Sequence, residues 1–183
     1  MATERLDFDL VHSSIGFWVR HLMVSKVHGR FSQWSGALEF DEQDPPGSRL
    51  SVSIDAASID TKEAARDAHL RSPDFLDAEH FPYITFISTG VARKPGGELQ
   101  VTGDLSIRGV TRQIHLDVEY AGRVKDPWGG ERLGFFREVR DQPQRFRPHL
   151  EPVAGAGGVA VADRIDFSIE IEAVRSVPQA AAA

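Results

Sequence analysis

His12, Ser13 and Ser14 stand side by side near the start of the chain, and aspartates are plentiful enough to complete a Ser-His-Asp set. The spacing argues against it. No G-x-S-x-G elbow occurs, and adjacent residues of a strand point to opposite faces, so the group cannot converge locally. His21, His69 and His80 are the next candidates, as metal ligands. None is paired at H-x-H or H-x3-H spacing, so they read as local hydrogen-bonding groups and no metal site is expected. The densest charged cluster is Arg66, Asp67, Arg71 and Asp74 around Leu70. Asp67 and Arg71 are one helical turn apart and form an expected i,i+4 pair. Two roles stay open for the cluster: a structural ion-pair network fixing a helix to a sheet, or a polar gate that meets a ligand head group. His21 ends an apolar alternation, where it would serve a quinone or phenol head as a polar handle. No catalytic residue is expected.

Composition narrows the classes further. The chain has 183 residues, enough for one domain, and 41% of them are apolar, enough for an ordinary core. Against 21 basic residues stand 27 acidic ones, for a net charge of −6. Nucleic acid and anionic membrane surfaces both need a cationic face, so neither is an expected partner. The absence of cysteine excludes disulfides, thiolate chemistry and Cys-ligated metals. The N-terminus carries charges within its first seven residues and has no apolar h-region, so it does not read as a signal peptide. No uncharged run approaches the roughly 18 residues of a membrane span. A cytoplasmic protein without stable membrane insertion is the expectation.

The elements that must position these groups are strands, with one helix. Asp60 reads as an N-cap with Glu63 as its capping-box partner, and Pro73 stops the run, which predicts a helix over about 61–72. It is too short and too poor in large apolar side chains to stand alone, so it must lie on something. Ile15, Phe17, Val19 and His21 share one face of a strand; Leu99, Val101, Leu105 and Ile107 share another; Ile114, Leu116, Val118 and Tyr120 a third. Ile165, Phe167, Ile169 and Ile171 mark the last strand. Asp44–Gly47 and Lys94–Gly97 read as turns, and Arg108–Thr111 as a hairpin connection. The period slips between Phe31 and Trp34, which suggests a bulge served by Gly36. Gly103 falls where a side chain is expected, and glycine inside a strand marks a bend more often than spare room. Strands with one apolar face, joined by short turns, close most economically into an antiparallel barrel. The expected fold is all-β: a barrel of about eight strands with one helix packed across an end. A single domain over 5–176 is expected, with a disordered tail at 177–183.

Several blocks carry a family resemblance. His12–Ile15, Val19–Ser25 and Gly29–Phe31 resemble the opening of the YceI-like family. So do Arg66–Phe75, Phe81–Pro82, Gly103–Thr111 and Asp126–Gly129, in the same order and spacing. The resemblance covers Leu6 to about Phe135, and again Gly157 to Val174. It implies a lipocalin-like barrel that encloses a long polyisoprenoid chain, often as a homodimer, without established catalytic activity. Some members carry a signal peptide and are periplasmic. On this basis Ile15, Phe17, Val19, His21, Phe31, Val101, Leu105, Ile114, Leu116, Phe167 and Ile169 are the expected cavity lining. The expected partner is an apolar lipid, a polyisoprenoid or isoprenoid quinone, held without chemistry; an enzyme acting on such a ligand in the same barrel is the alternative. No other cofactor is expected.

Gly134 to Gly157 departs from the family. Where the family has a strand and an Asn-Arg-x-Asp-Phe-Gly type block, this chain has no alternation, and Pro143, Pro148 and Pro152 cannot sit in a central strand. For one allowed set of synonymous codons covering Phe136 to Pro152, reading from the second base yields SAKFEINRSDFGLTWN, which is the missing strand and block. The segment therefore reads as a local frameshift, entered near Phe136 and left between Pro152 and Gly155. An irregular loop over 140–156 is the expectation, with strand pairing confined to its start.

Overall fold

A computed structural model of the protein describes residues 3–21, 25–127, 130–137 and 161–175. The alternating segments form β1 (Glu4–Phe8), β2 (Ser14–His21), β3 (Ser25–Phe31), β4 (Trp34–Phe40), β5 (Arg49–Asp55) and the short β6 (Ile59–Asp60). The helix α1 (Ala64–Arg71) follows, and then β7 (Tyr83–Arg93), β8 (Leu99–Ile107), β9 (Val110–Lys125), β10 (Glu131–Arg137) and β11 (Val161–Arg175). The ring runs β1-β4-β5-β7-β8-β9-β10-β11, and β11 returns to β1, closing an antiparallel barrel of eight strands. Closure leaves no unpaired edge around that ring, which an open sheet of this size would present to other chains.

Three staves of the barrel are broken in two. β1 and β2 pair with the same edge of β11, Phe8 opposite Ala173 and Ser14 opposite Glu170. The ladder survives the break because Asp9 N donates to Glu172 O at 2.8 Å and Glu172 N donates to Ser13 Oγ at 2.9 Å. The seryl oxygen thus stands in for a backbone carbonyl. The second break, Ser32–Gln33 between β3 and β4, is stitched to the third, Ala56–Ser58 between β5 and β6. Ser32 N donates to Ser58 O at 3.1 Å and Ser58 Oγ to Gln33 O at 3.2 Å. The period slip between Phe31 and Trp34 is therefore a strand boundary, not a bulge, and Gly36 pairs in register with Val52. The register shift expected around Gly103 falls on its partner instead, between Ser88 and Gly90 of β7. The β8–β9 hairpin is tighter than its sequence reading: Val110 and Thr111 already pair with Ile107 and Ser106, which leaves a two-residue connection. Arg108 and Gly109 both have positive φ, 48° and 71°, as a two-residue type I′ connection requires.

The apolar faces meet inside the barrel in two clusters. Around Leu6, Leu38, Phe40, Leu99, Leu133 and Ala173 packing is tightest, and Leu133 and Ala173 are wholly buried. The second cluster, Ile15, Phe31, Ala56, Ile59 and Ile84, lies toward the helix, with Leu70 and Leu76 packed on it from outside the ring. That contact explains why a helix of only two turns is stable: it covers apolar surface at the barrel end.

Two details of the helix correct its sequence reading. Its N-cap is Glu63, whose carboxylate accepts from Ala65 N and Arg66 N, while Asp60 accepts from Lys62 N and Nζ. Lys62 has φ of 64°, a left-handed conformation that cannot continue into a helix, so the start moves to Ala64. Asp67 and Arg71 do not pair with each other. Asp67 is buried and accepts from Thr61 N and Oγ1; Arg71 donates to Ala57 O and Ile59 O, each at 2.7 Å. The Ile59 carbonyl, on a buried residue, outcompetes the neighbouring carboxylate for the guanidinium, because a buried acceptor without a donor costs about 1–3 kcal/mol.

Among the described residues, β10 accompanies β11 only from Val174 back to Ile169, where Arg137 ends the pairing. The segment 140–156 and the tail 177–183 lie outside the described residues.

Candidate functional site

The barrel lumen is the site that the alternation builds. Cross-strand partners share a face, so the register carries Val101 opposite Leu116, Gly103 opposite Ile114 and Phe86 opposite Leu105 around the inner wall. Ile15, Phe31, Leu99 and Val101 are buried in this interior. Phe17, Leu105, Ile114, Leu116 and Val118 pack against the same clusters yet stay only half-buried, as do Ile169 and Ile171 on β11. These inward-facing side chains are less completely covered than the core around Leu6 and Leu133. Val19, His21 and Phe167 sit in register on the same strands, Val19 opposite Val27 and Phe167 opposite Phe17. Their side chains are outside the described ones.

The two ends of the lumen differ in chemistry. At the end where β1 starts and β11 stops, Arg123 donates to Glu4 and Glu131 at 2.8 Å each, and Arg175 joins both carboxylates. These residues continue the inner face of their strands: Glu4 is opposite Phe40, and Arg123 opposite Leu133. The Arg123 guanidinium holds the Glu4 carboxyl below its usual range, against the opposing effect of burial. Tyr120 lies beside this cluster, in a box with Phe40 and Phe135 at ring separations of 5.1 and 5.2 Å. Its hydroxyl is shut off from solvent and has no well-formed hydrogen bond; burial first, then the Glu42 carboxylate, push the phenol up to about 12. Polar side chains that would be costly to bury singly thus neutralise one another and seal this end.

At the other end, α1 and the elbow after it form a cap tied at both sides. Arg71 anchors it to the β5–β6 break. Arg108, in the β8–β9 hairpin, donates to Phe75 O at 3.1 Å, and the Phe81 ring lies on Gly109 of the same hairpin. Arg66 donates to Thr61 Oγ1 at 2.7 Å and Thr61 O at 2.9 Å. His80 meets Asp77, whose charge raises the imidazole pKa, and His69 meets Asp74 at 3.4 Å. Each charged member of the 66–74 cluster therefore has a partner within the cap or the strands beneath it.

The nucleophile candidates His12 and Ser13 are each engaged in structural bonds of their own. Ser13 is held in the β1–β2 break, and His12 bonds Asp9 at 2.9 Å. The fold instead gathers Asp9, His12 and Glu172. Their chemistry would suit a cation, but Arg132 Nη1 already supplies one, bonding Asp9 at 2.6 Å and also Glu172. The His12 and Arg132 contacts hold Asp9 far below the usual carboxylate range. Nothing in the sequence announces this clasp, since its members lie at opposite ends of the chain and meet only on closure.

An eight-stranded antiparallel barrel with an apolar lumen, one end sealed and the other capped by a helix, belongs to the lipocalin-like class of barrels. The YceI-like domain family matches residues 6–178, and the chain belongs to that family. A UPF0312 protein from Vibrio campbellii is 41% identical over 170 residues, 93% of this chain and 86% of the relative. The crystal structure of the Campylobacter jejuni YCEI protein is similar with a TM-score of 0.70 and 30% identity, covering 87% of this chain and 91% of that one. A polyisoprenoid binding domain from Saccharophagus degradans shares the fold, with a TM-score of 0.66 at 11% identity over 95% of this chain and 99% of that one. No helix among the described residues is long and apolar enough to cross a membrane.

Proposed function

We propose that the protein holds a long apolar lipid of the isoprenoid type inside its barrel, as a carrier or store that leaves the ligand chemically unchanged. The observation that carries this reading is the half-buried inner face: Leu105, Ile114, Leu116, Ile169 and Ile171 face the lumen and stay incompletely covered. An isoprenoid needs only such a wall. Each buried CH2 contributes about 0.8 kcal/mol, so one five-carbon unit adds roughly 3–4 kcal/mol. A few units offset an association cost of about 4–15 kcal/mol. That a protein of the same fold is described as a polyisoprenoid binding domain supports the ligand class.

Storage is favoured over chemistry by Tyr120, an inner-face phenol whose acidity is moved away from neutrality. A phenol pushed up to about 12 is a poorer acid and no readier nucleophile at neutral pH, the opposite of what a catalytic site tunes. The homodimer implied by the family belongs to the same proposal; Tyr83 and Ile87, exposed on the outer face of β7, support it. Native mass spectrometry of the purified full chain tests the main reading. A fixed mass increment that organic extraction identifies as an isoprenoid is expected. Protein that carries no stoichiometric apolar compound, and takes up none on incubation with squalene, refutes it.

A further inference from the structure

Three glycines on the inner wall are each roofed by an aromatic ring from a neighbouring strand. A Cβ built on Gly29 would stand 2.3 Å from Cζ of Phe17, one on Gly36 2.5 Å from Cε2 of Phe8, and one on Gly103 2.4 Å from Cζ of Phe86. In each case the outer edge of the ring occupies the volume a side chain would take. An inward phenylalanine normally stands up from the sheet, toward the barrel axis. These three tip sideways onto bare backbone instead, so a large side chain takes up wall and leaves the axis clear. Glycine in a strand otherwise weakens it, and here each is compensated by the ring that covers it.

We infer that Gly29, Gly36 and Gly103 set the bore of the lumen: by laying Phe17, Phe8 and Phe86 against the wall they admit a slender chain along the axis. The inference rests on the lipid-binding reading and adds which residues decide what fits. The three positions differ in what they would tolerate. At Gly36 and Gly103 an added Cβ would also stand 2.4 Å from Ser51 O and 2.6 Å from Ile87 O, so the strand pairing itself would have to give. At Gly29 the three nearest atoms all belong to the Phe17 ring. Phe31 flanks that ring with centroids 5.7 Å apart, so a methyl group on Gly29 turns Phe17 toward the axis and leaves the backbone alone.

The test is retention of labelled squalene by full-length protein, with folding followed by circular dichroism. Gly29→Ala is expected to weaken squalene binding at least tenfold while the barrel stays folded. Removing the ring as well, in the double variant Phe17→Ala/Gly29→Ala, is expected to restore binding to the wild-type level or better. Should Gly29→Ala fail to fold, Phe17→Trp puts a larger ring over an intact Gly29 and is expected to weaken binding in its place. Wild-type binding with an unimpaired, folded Gly29→Ala variant overturns the inference alone. So does a folded double variant that does not recover. Wild-type protein that binds no squalene overturns the lipid-binding reading and this inference together.

Discussion

Arg123 is the residue whose loss should reveal what seals the end of the barrel opposite the cap. Replacing it by methionine keeps most of the side-chain volume and removes the charge that faces Glu4, Glu131 and, at 3.8 Å, Glu42. The side chains of Arg123, Glu4 and Glu131 are 27%, 19% and 26% exposed, so the cluster is neither a surface pair nor a buried one. Exposed pairs contribute about 0–1 kcal/mol, whereas stranding a buried partner costs about 3–5 kcal/mol. Arg175 remains on both glutamates, but it is 61% exposed and compensates only in part. The expected loss is about 2–3 kcal/mol, or roughly 5–10 °C in Tm for a domain of this size. Urea unfolding at several pH values is the assay. The Glu4 pKa is lowered in the folded state, so its contribution is present above the ordinary value of 4.5 and lost as pH falls through the lowered one. The gap between wild type and Arg123→Met should therefore be widest near neutrality and shrink below pH 4.5. A variant within about 0.5 kcal/mol of wild type at pH 7, or a gap that does not change with acid, would refute the assignment.

Leu105→Arg places a charge on the half-buried inner wall and should abolish squalene retention, while Glu170→Gln on the exposed face should leave it unchanged; equal retention by both variants contradicts the lumen as the site. Arg71→Met removes both donors to Ala57 O and Ile59 O, and should speed hydrogen exchange of the α1 amides severalfold with the β8–β9 amides unaffected; unchanged cap protection would show that the arginine is not its anchor.

Much of the barrel was legible because strand alternation has a short, exact period. Ile15, Phe31, Leu99 and Val101 occupy the apolar phase of their strands and are buried, and the hairpin at Arg108–Thr111 was placed correctly, although Val110 and Thr111 turn out to pair. The helix was legible as an element but not at its start, because Asp60 is the better cap by residue type, yet the left-handed Lys62 moves the start past it to Glu63. The Asp67–Arg71 pair failed for a related reason. Local spacing says which side chains can meet, whereas the carbonyls of Ala57 and Ile59, orphaned by a break in the sheet, say which ones do.

Sequence alone thus determined the class of the fold, the inner and outer faces of its strands, and the apolar character of its interior, since each follows from local periodicity and turn chemistry. Closure determined the rest. The Arg123 seal, the Arg132 clasp and the Phe8 ring lying on Gly36 join strands that are distant along the chain, and no local pattern encodes which strands become neighbours. Glycine shows the division most plainly. In sequence it is a missing side chain; only the register reveals that Phe17 fills the space over Gly29.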